Sequence, residues 1–220
     1  MIFMSIVDLI FPIVCVGCGK EGEYICSKCF AKIHQPAQIC PMCCKPSIDG
    51  WTHARCRNNS GLDRLIIGLP YKGLVQKCLK KVKYKSAWDI IKFLYMKSNF
   101  VGFDDSIITA VPMWGGKEQS RGFNQAEIFA QLISKQFNSK SLKLLERVRD
   151  TKPMFGLNKN ERKLNVGDSF RMKSGRDLDI SEKKMLLVDD VWTTGATMRE
   201  CVTVLKRSGA KEIWAVVLAW

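Results

Sequence analysis

Residues 185–197, Met-Leu-Leu-Val-Asp-Asp-Val-Trp-Thr-Thr-Gly-Ala-Thr, bring two carboxylates and a run of small, hydroxylated residues into one short stretch of chain. Met185–Val188 is apolar, short and bounded by charge, the pattern of a strand buried in a parallel sheet. Asp189 and Asp190 follow at its carboxyl end, where open α/β sheets hold their ligands. Thr193, Thr194, Gly195, Ala196 and Thr197 then lead into a helix expected to run to about Ser208. A helix amino terminus presents free N–H groups and the positive end of its dipole, which suits a phosphate. Small side chains let the backbone approach that phosphate, and hydroxyls add donors. The neighbouring acids suit vicinal hydroxyls or a Mg²⁺-bound sugar. A Walker phosphate loop is excluded, because no Gly-x-x-x-x-Gly-Lys-Ser/Thr occurs.

A second block suits metal. Cys15 and Cys18, Cys26 and Cys29, and Cys40 and Cys43 are Cys-x-x-Cys pairs, and His53 and Cys56 repeat the spacing. Zn²⁺ prefers four tetrahedral S or N ligands, and each tight knuckle delivers two of them. Four knuckles fill two closed sites, which are structural rather than catalytic. Two pairings fit the spacing. The sequential one joins Cys15/Cys18 to Cys26/Cys29 and Cys40/Cys43 to His53/Cys56, and is favoured. The cross-braced one joins Cys15/Cys18 to Cys40/Cys43 and Cys26/Cys29 to His53/Cys56. Cys44 is surplus, Cys78 and Cys201 lie in helical patterns as core residues, and His34 stands alone.

At 220 residues and 46% hydrophobic content the chain suits one full domain with a small appendage. Its 35 basic residues against 21 acidic ones give a net charge of +14, which favours a polyanionic partner. Zinc held by seven thiolates lowers that to about +11. The start of the chain to Pro12 is apolar but short, carries Asp8 and lacks a basic flank, so neither a signal peptide nor membrane insertion is expected. A short amphipathic helix ending before Pro12 is expected instead. Cysteines spaced for metal point to a reducing cytoplasm.

The remaining elements must position the acid pair and its loop. Arg64–Tyr71 reads as a strand. Gly73–Val82 and Ala87–Lys97 read as helices, with Lys77, Lys80, Lys81, Lys83 and Lys85 forming a solvated face or a polyanion contact. Ser106–Val111 reads as a strand, followed by Pro112, Met113, Trp114, Gly115, Gly116 and Lys117 as a loop. Arg121-Gly122-Phe123-Asn124-Gln125 opens a helix through about Phe137. Leu142–Arg149 and Ile213–Leu218 read as strands, and residues 150–169 are polar and turn-rich. This alternation indicates an α/β fold, a mostly parallel sheet with helices on both faces.

The stretch from Val188 to Thr197 resembles the 5-phosphoribosyl-1-pyrophosphate (PRPP) motif of type I phosphoribosyltransferases. Nearly the whole chain resembles the ComF (ComFC) family, competence-associated proteins with an amino-terminal double zinc ribbon and a phosphoribosyltransferase-like domain. The carrying stretches are the cysteine block, Tyr71-Lys72-Gly73 with Lys83-Tyr84-Lys85, Val111-Pro112, Arg121-Gly122-Phe123-Asn124-Gln125, Arg147 to Asn165, and Val188 to Thr197. One departure is Met154, where the family pattern has Gln.

The resemblance implies a double zinc-ribbon module over residues 1–60 and a phosphoribosyltransferase-like domain over 61–220, with a basic helical hood at about 72–98. It implies PRPP and Mg²⁺ at Asp189, Asp190 and Thr193–Thr197, and a pyrophosphate loop at Pro112, Met113, Trp114, Gly115 and Gly116. Lys117 and Arg121 are the candidates to neutralise the leaving pyrophosphate. Arg147, Arg149, Lys152, Arg162 and Lys163 lie on or beside a closing loop, while Phe123 and Trp114 suit base stacking or packing. The implied activity is phosphoribosyl transfer to an unidentified acceptor. The alternative is a non-catalytic, single-stranded-DNA-binding competence factor that uses the PRPP fold as sensor or scaffold. Single-stranded DNA and other competence proteins are its implied partners.

Overall fold

The computed structural model describes residues 12–59, 61–81, 87–103, 105–149, 169–174 and 179–220. The expected helix before Pro12, the lysines at 83 and 85, Met154, Lys152, Arg162 and Lys163 lie outside those residues.

A short helix α1 (Ser27–Phe30) belongs to the cysteine block. There follow β1 (Arg64–Leu69), α2 (Gly73–Lys81), α3 (Ala87–Met96), β2 (Ile107–Ala110), α4 (Gly115–Arg121) and α5 (Gln125–Gln136). The order then continues with β3 (Lys140–Ser141), β4 (Leu145–Arg147), β5 (Phe170–Met172), β6 (Lys184–Val191), α6 (Ala196–Arg207) and β7 (Glu212–Ala219). Strands β1, β7, β6, β2 and β3 lie side by side in that order, each parallel to its neighbour. Met185–Val188 at the centre is completely buried, as a strand covered on both faces must be.

The period of two along β6 sends alternate side chains to opposite faces of the sheet. Leu186 and Val188 pack with Val75, Ile90, Leu94, Phe129 and Ile133 beneath α2, α3 and α5. Met185 and Leu187 pack with Met198, Cys201, Val202 and Leu205 of α6 on the other face. Tyr95, Phe100, Phe103, Phe129 and Phe137 form an aromatic cluster, with Phe103 and Phe137 edge to face at 5.0 Å.

Two expectations need correction. Gly115 and Gly116 are not in an open loop; they form the first turn of α4, whose Lys117 and Glu118 N–H groups donate to the Trp114 carbonyl. Leu142–Arg149 is not one strand. Lys140–Ser141 completes the main sheet beside β2, and the chain then leaves it. Leu145–Arg147 pairs antiparallel with Phe170–Met172 in a separate two-stranded sheet.

The cysteine block covers the outer edge of β1. The Gln38 side chain donates to the Ile67 carbonyl and accepts from the Ile67 amide, both at 3.0 Å, as a neighbouring strand would. Trp51 bridges Arg64, and the Thr52 amide donates to the Asp63 carbonyl. Gly50, at φ +79°, lies so close to the Leu65 carbonyl that no side chain fits between them. Ile25 belongs to the same core as α2 and α3, and the Cys78 thiol donates to the Tyr24 carbonyl. No helix among the described residues is long and apolar enough to cross a membrane.

Candidate functional site

The cysteines assemble sequentially. Cys15, Cys18, Cys26 and Cys29 form one cluster, and Cys40, Cys43, His53 and Cys56 the other, with the ligand atoms of each within 4.8 Å of one another. The Cys18 and Cys26 sulfurs are 3.6 Å apart, close to the ~3.7 Å edge of a zinc–sulfur tetrahedron. In the second cluster His53 Nδ1 lies 3.4 Å from the Cys43 sulfur, while Nε2 faces the Pro46 carbonyl at 3.1 Å. That carbonyl holds the ring as an outer hydrogen-bond partner does in zinc sites. The Cys26 amide, helped by that of Gly17, donates to the Cys15 sulfur and pulls its pKa down to about 6. A thiolate is the form zinc needs. These donor sets fit two structural Zn²⁺ ions. Cys44 is exposed and outside both clusters. Burial pushes the Cys78 thiol up to about 11 and that of Cys201 well above its ordinary range, as inert core thiols.

At the carboxyl end of β6, Asp189 and Asp190 are half-buried and point to opposite faces of the sheet. Burial raises the pKa of Asp189 well above the carboxylate range, and the Asp190 charge adds to the rise. The Arg147 charge opposes it, so β4 carries this arginine to the α6 face of the pair. Burial also raises Asp190, against the Asp189 hydrogen bond and the Arg121 charge. The Asp190 amide donates to Asp189 Oδ1 at 2.9 Å. The acid pair thus lies in the field of two arginines, Arg147 acting on Asp189 and Arg121 on Asp190.

Arg121 owes its place to the residues that follow it. It ends α4, Gly122 caps that helix in the left-handed region at φ +81°, and Asn124 starts α5. The Asn124 side chain accepts from the Ala126 amide and donates to the Val111 carbonyl, both at 3.0 Å. The end of β2 is thereby tied to the start of α5. Gln125 Oε1 accepts from Arg121 Nη1 at 3.0 Å. The motif therefore builds a helix–helix junction that aims one guanidinium. Pro112, Met113 and Trp114 join β2 to α4 and are half-buried. Lys117 is exposed on α4, and Phe123 packs on the core beside α5.

After β6 the chain turns through an exposed Thr193, a half-buried Thr194 and a buried Gly195, which caps α6 at φ +69°. Ala196 and Thr197 form the first turn of α6 and are half-buried. The Trp192 indole lies under this turn, 2% exposed, and a Cβ on Gly195 would collide with it. Among the described residues neither Trp192 Nε1 nor Thr194 Oγ1, both buried, has a hydrogen-bond partner. Gly195→Ala is expected to cost about 1–2 kcal/mol for the left-handed conformation and 1–3 kcal/mol for overpacking. Thermal melting of the variant checks this. An apolar cleft of about 370 Å³ opens at the carboxyl ends of β1 and β7, between Tyr71, Trp220 and residues 34–37.

The phosphoribosyl transferase domain model matches residues 124–219, and the double zinc ribbon domain model matches residues 6–58. Over most of its length the chain is similar to Competence protein F of Haemophilus influenzae, 24% identical over 94% of this chain and 90% of that protein. It is 27% identical to the DNA utilization protein YhgH of Escherichia coli, over 87% of this chain and 89% of that one. It is 25% identical to Competence protein ComFC of Streptococcus pneumoniae, over 88% and 86%.

The chain thus carries a double zinc ribbon followed by a phosphoribosyl transferase domain, and resembles curated competence proteins over most of its length.

Two solved structures are similar to this chain. One is the allosteric regulatory enzyme of purine biosynthesis, with 18% identity and a TM-score of 0.36, covering 60% of this chain and 25% of that one. The other is the AQ2163 protein of Aquifex aeolicus, with 14% identity and a TM-score of 0.35, covering 70% and 86%. The sequence pointed to the acid pair, the hydroxylated turn and the metal ligands, and the structure gathers the last of these into two clusters. It gave no sign of Gln38 or Arg199, whose partners lie far away in the chain.

Proposed function

We propose that this protein binds PRPP with Mg²⁺ at the carboxyl end of β6 and transfers its phosphoribosyl group to an acceptor. The observation that supports this most is the acid pair between Arg121 and Arg147, beside the Gly195 turn and the amino terminus of α6. Two carboxylates suit a hard cation that keeps several of its waters. Such a cation would neutralise pyrophosphate charge. The amides of Thr193–Thr197 and their hydroxyls hold the 5-phosphate. Asp189 and Asp190 orient the ribose hydroxyls, directly or through water. Lys117 and Arg121 draw charge from the pyrophosphate as its bond to the anomeric carbon breaks and the acceptor's bond forms. Pro112–Gly116 places those two cations, and Trp192 keeps the underside of the turn dry. Tyr71 and Trp220 offer flat walls for a ring-bearing acceptor in the neighbouring cleft. Residues 61–220 then act as the transfer unit and 1–60 as the zinc-stapled module.

The test is calorimetric titration of the zinc-loaded protein with PRPP and Mg²⁺, followed by a pyrophosphate-release screen over nucleobases and small amines. Saturable binding with release for one acceptor class is expected. Absence of PRPP binding overturns the proposal, and binding without release for any acceptor favours a PRPP sensor.

A second reading has its own support in Lys77, Lys80 and Lys81, exposed along α2, and in relatives named for competence and DNA utilization. On it, the basic face contacts single-stranded DNA, alone or with other competence proteins. Its affinity should fall with salt at a log–log slope of about −0.7 per phosphate contacted. A flat titration removes it.

A further inference from the structure

Arg199 sits in the first turn of α6, where a cation opposes the helix dipole and where burial lowers its pKa. Its guanidinium offsets that placement by bridging two carbonyls. Nη2 donates to the Thr194 carbonyl at 2.6 Å, inside the turn that carries the loop threonines. Nη1 donates to the Pro41 carbonyl at 3.4 Å, across 158 residues of sequence. Pro41 lies within the Cys40–Cys43 knuckle, so its carbonyl is fixed by the same turn that presents two ligands of the second zinc cluster. The Arg199 amide also donates to the Gly195 carbonyl at 2.9 Å. One planar fork therefore joins a metal knuckle to the left-handed turn at Gly195. A lysine ammonium has no comparable pair of fixed donors.

We infer that Arg199 is a positioning residue that couples the second zinc site to the Thr193–Thr197 turn, so that zinc bound at Cys40, Cys43, His53 and Cys56 sets how tightly that turn grips a sugar phosphate. The last clause rests on the PRPP reading; the coupling itself does not. When the second site loses its metal, the knuckle relaxes and Pro41 withdraws its carbonyl. Arg199 is then left with one buried acceptor instead of two, and the Gly195 turn loosens. The acids and the first zinc cluster keep their places. The device makes phosphate affinity depend on the metal state of a module that contributes no group to the phosphate.

The experiment uses the full-length, zinc-loaded protein, with hydrogen exchange at the Trp192 amide and at the first hydrogen-bonded amides of α6, from residue 199, and calorimetric PRPP titration as separate readouts. Arg199→Lys should keep two zinc ions per chain, speed exchange of the amides at 192 and 199, whose hydrogen bonds frame the turn, and weaken PRPP binding about tenfold, the scale of one charge-assisted hydrogen bond. Cys56→Ser should speed exchange over the same amides without touching the loop. The doubly substituted protein should show no more than the larger single effect, because both changes cut one link. Stepwise zinc withdrawal from the wild type by a chelator replaces Cys56→Ser if that variant does not fold, with the same expected exchange. Unchanged exchange at the amides of residues 192 and 199 in Arg199→Lys overturns the coupling, as do effects that multiply in the double variant. If the wild type binds no PRPP, the functional reading falls while the exchange data still decide the coupling.

Discussion

Asp190→Ala is expected to eliminate measurable PRPP binding in calorimetry while the protein stays folded. A single well-placed polar group at such a site is worth about 3–4 kcal/mol of transition-state stabilisation, or at least a hundredfold in rate. Asp190 also faces Arg121, so its loss leaves that guanidinium without its nearby counter-charge. Retained affinity in the variant would show that the acid pair is not the sugar site. The companion change Asp189→Asn should lose PRPP but gain stability at neutral pH. A carboxyl whose pKa is higher in the folded state than in the unfolded one makes folding less favourable as pH rises from its ordinary value to the raised one. Burial raises Asp189 in this way, so the wild type gives up stability across that interval and the amide does not. Melting temperatures measured without Mg²⁺ from pH 4 to 8 should therefore diverge, with Asp189→Asn the more stable at the upper end. PRPP affinity of the wild type should rise over the same interval, because the ionised pair is the binding form.

Removal of zinc should have the other large effect. Structural zinc contributes on the order of 10–16 kcal/mol per site in finger peptides at neutral pH. The ribbon's described segments supply little apolar core of their own apart from Ile25 and Ile39, so metal must supply most of their order. Chelation is expected to release two zinc ions per chain and erase exchange protection over residues 12–59. Protection at the Ile67 amide should fall with it, because Gln38 accepts that hydrogen bond. Amides of β6 and β7 should remain protected, since their partners lie within the sheet. Protection retained across the ribbon after complete metal loss would contradict this.

The parts of this protein that speak through local spacing were legible in its sequence. Met185–Val188 with its acids, the hydroxylated turn and the paired cysteines each announce themselves within a few residues. Ligand pairing was not fixed by spacing alone, since both arrangements satisfy the knuckle geometry; the folded chain gathers the ligands sequentially. Arg121–Gln125 was legible as a motif but not as a device. Its Gly122 and Asn124 serve backbone geometry, a helix end and a helix start, and only Arg121 turns toward the acids. The split of 140–147 between two sheets was hidden because three-residue strands carry almost no periodic signal. Gln38 and Arg199 were hidden for another reason. Each is one polar side chain that reaches a partner 29 or 158 residues away.

The Gln38 contact has a consequence for how the protein fails. Strand β1 is the last of the five on its side, and its outward amides and carbonyls are screened by a side chain and a few turns rather than by a sixth strand. Once that screen lifts, a row of unpaired backbone groups beside Leu65, Ile67 and Leu69 becomes a template on which a second molecule can stack. Metal starvation would then deplete this protein by aggregation and not merely by slackening, and restoring zinc afterwards would recover only the molecules that had not yet met a neighbour.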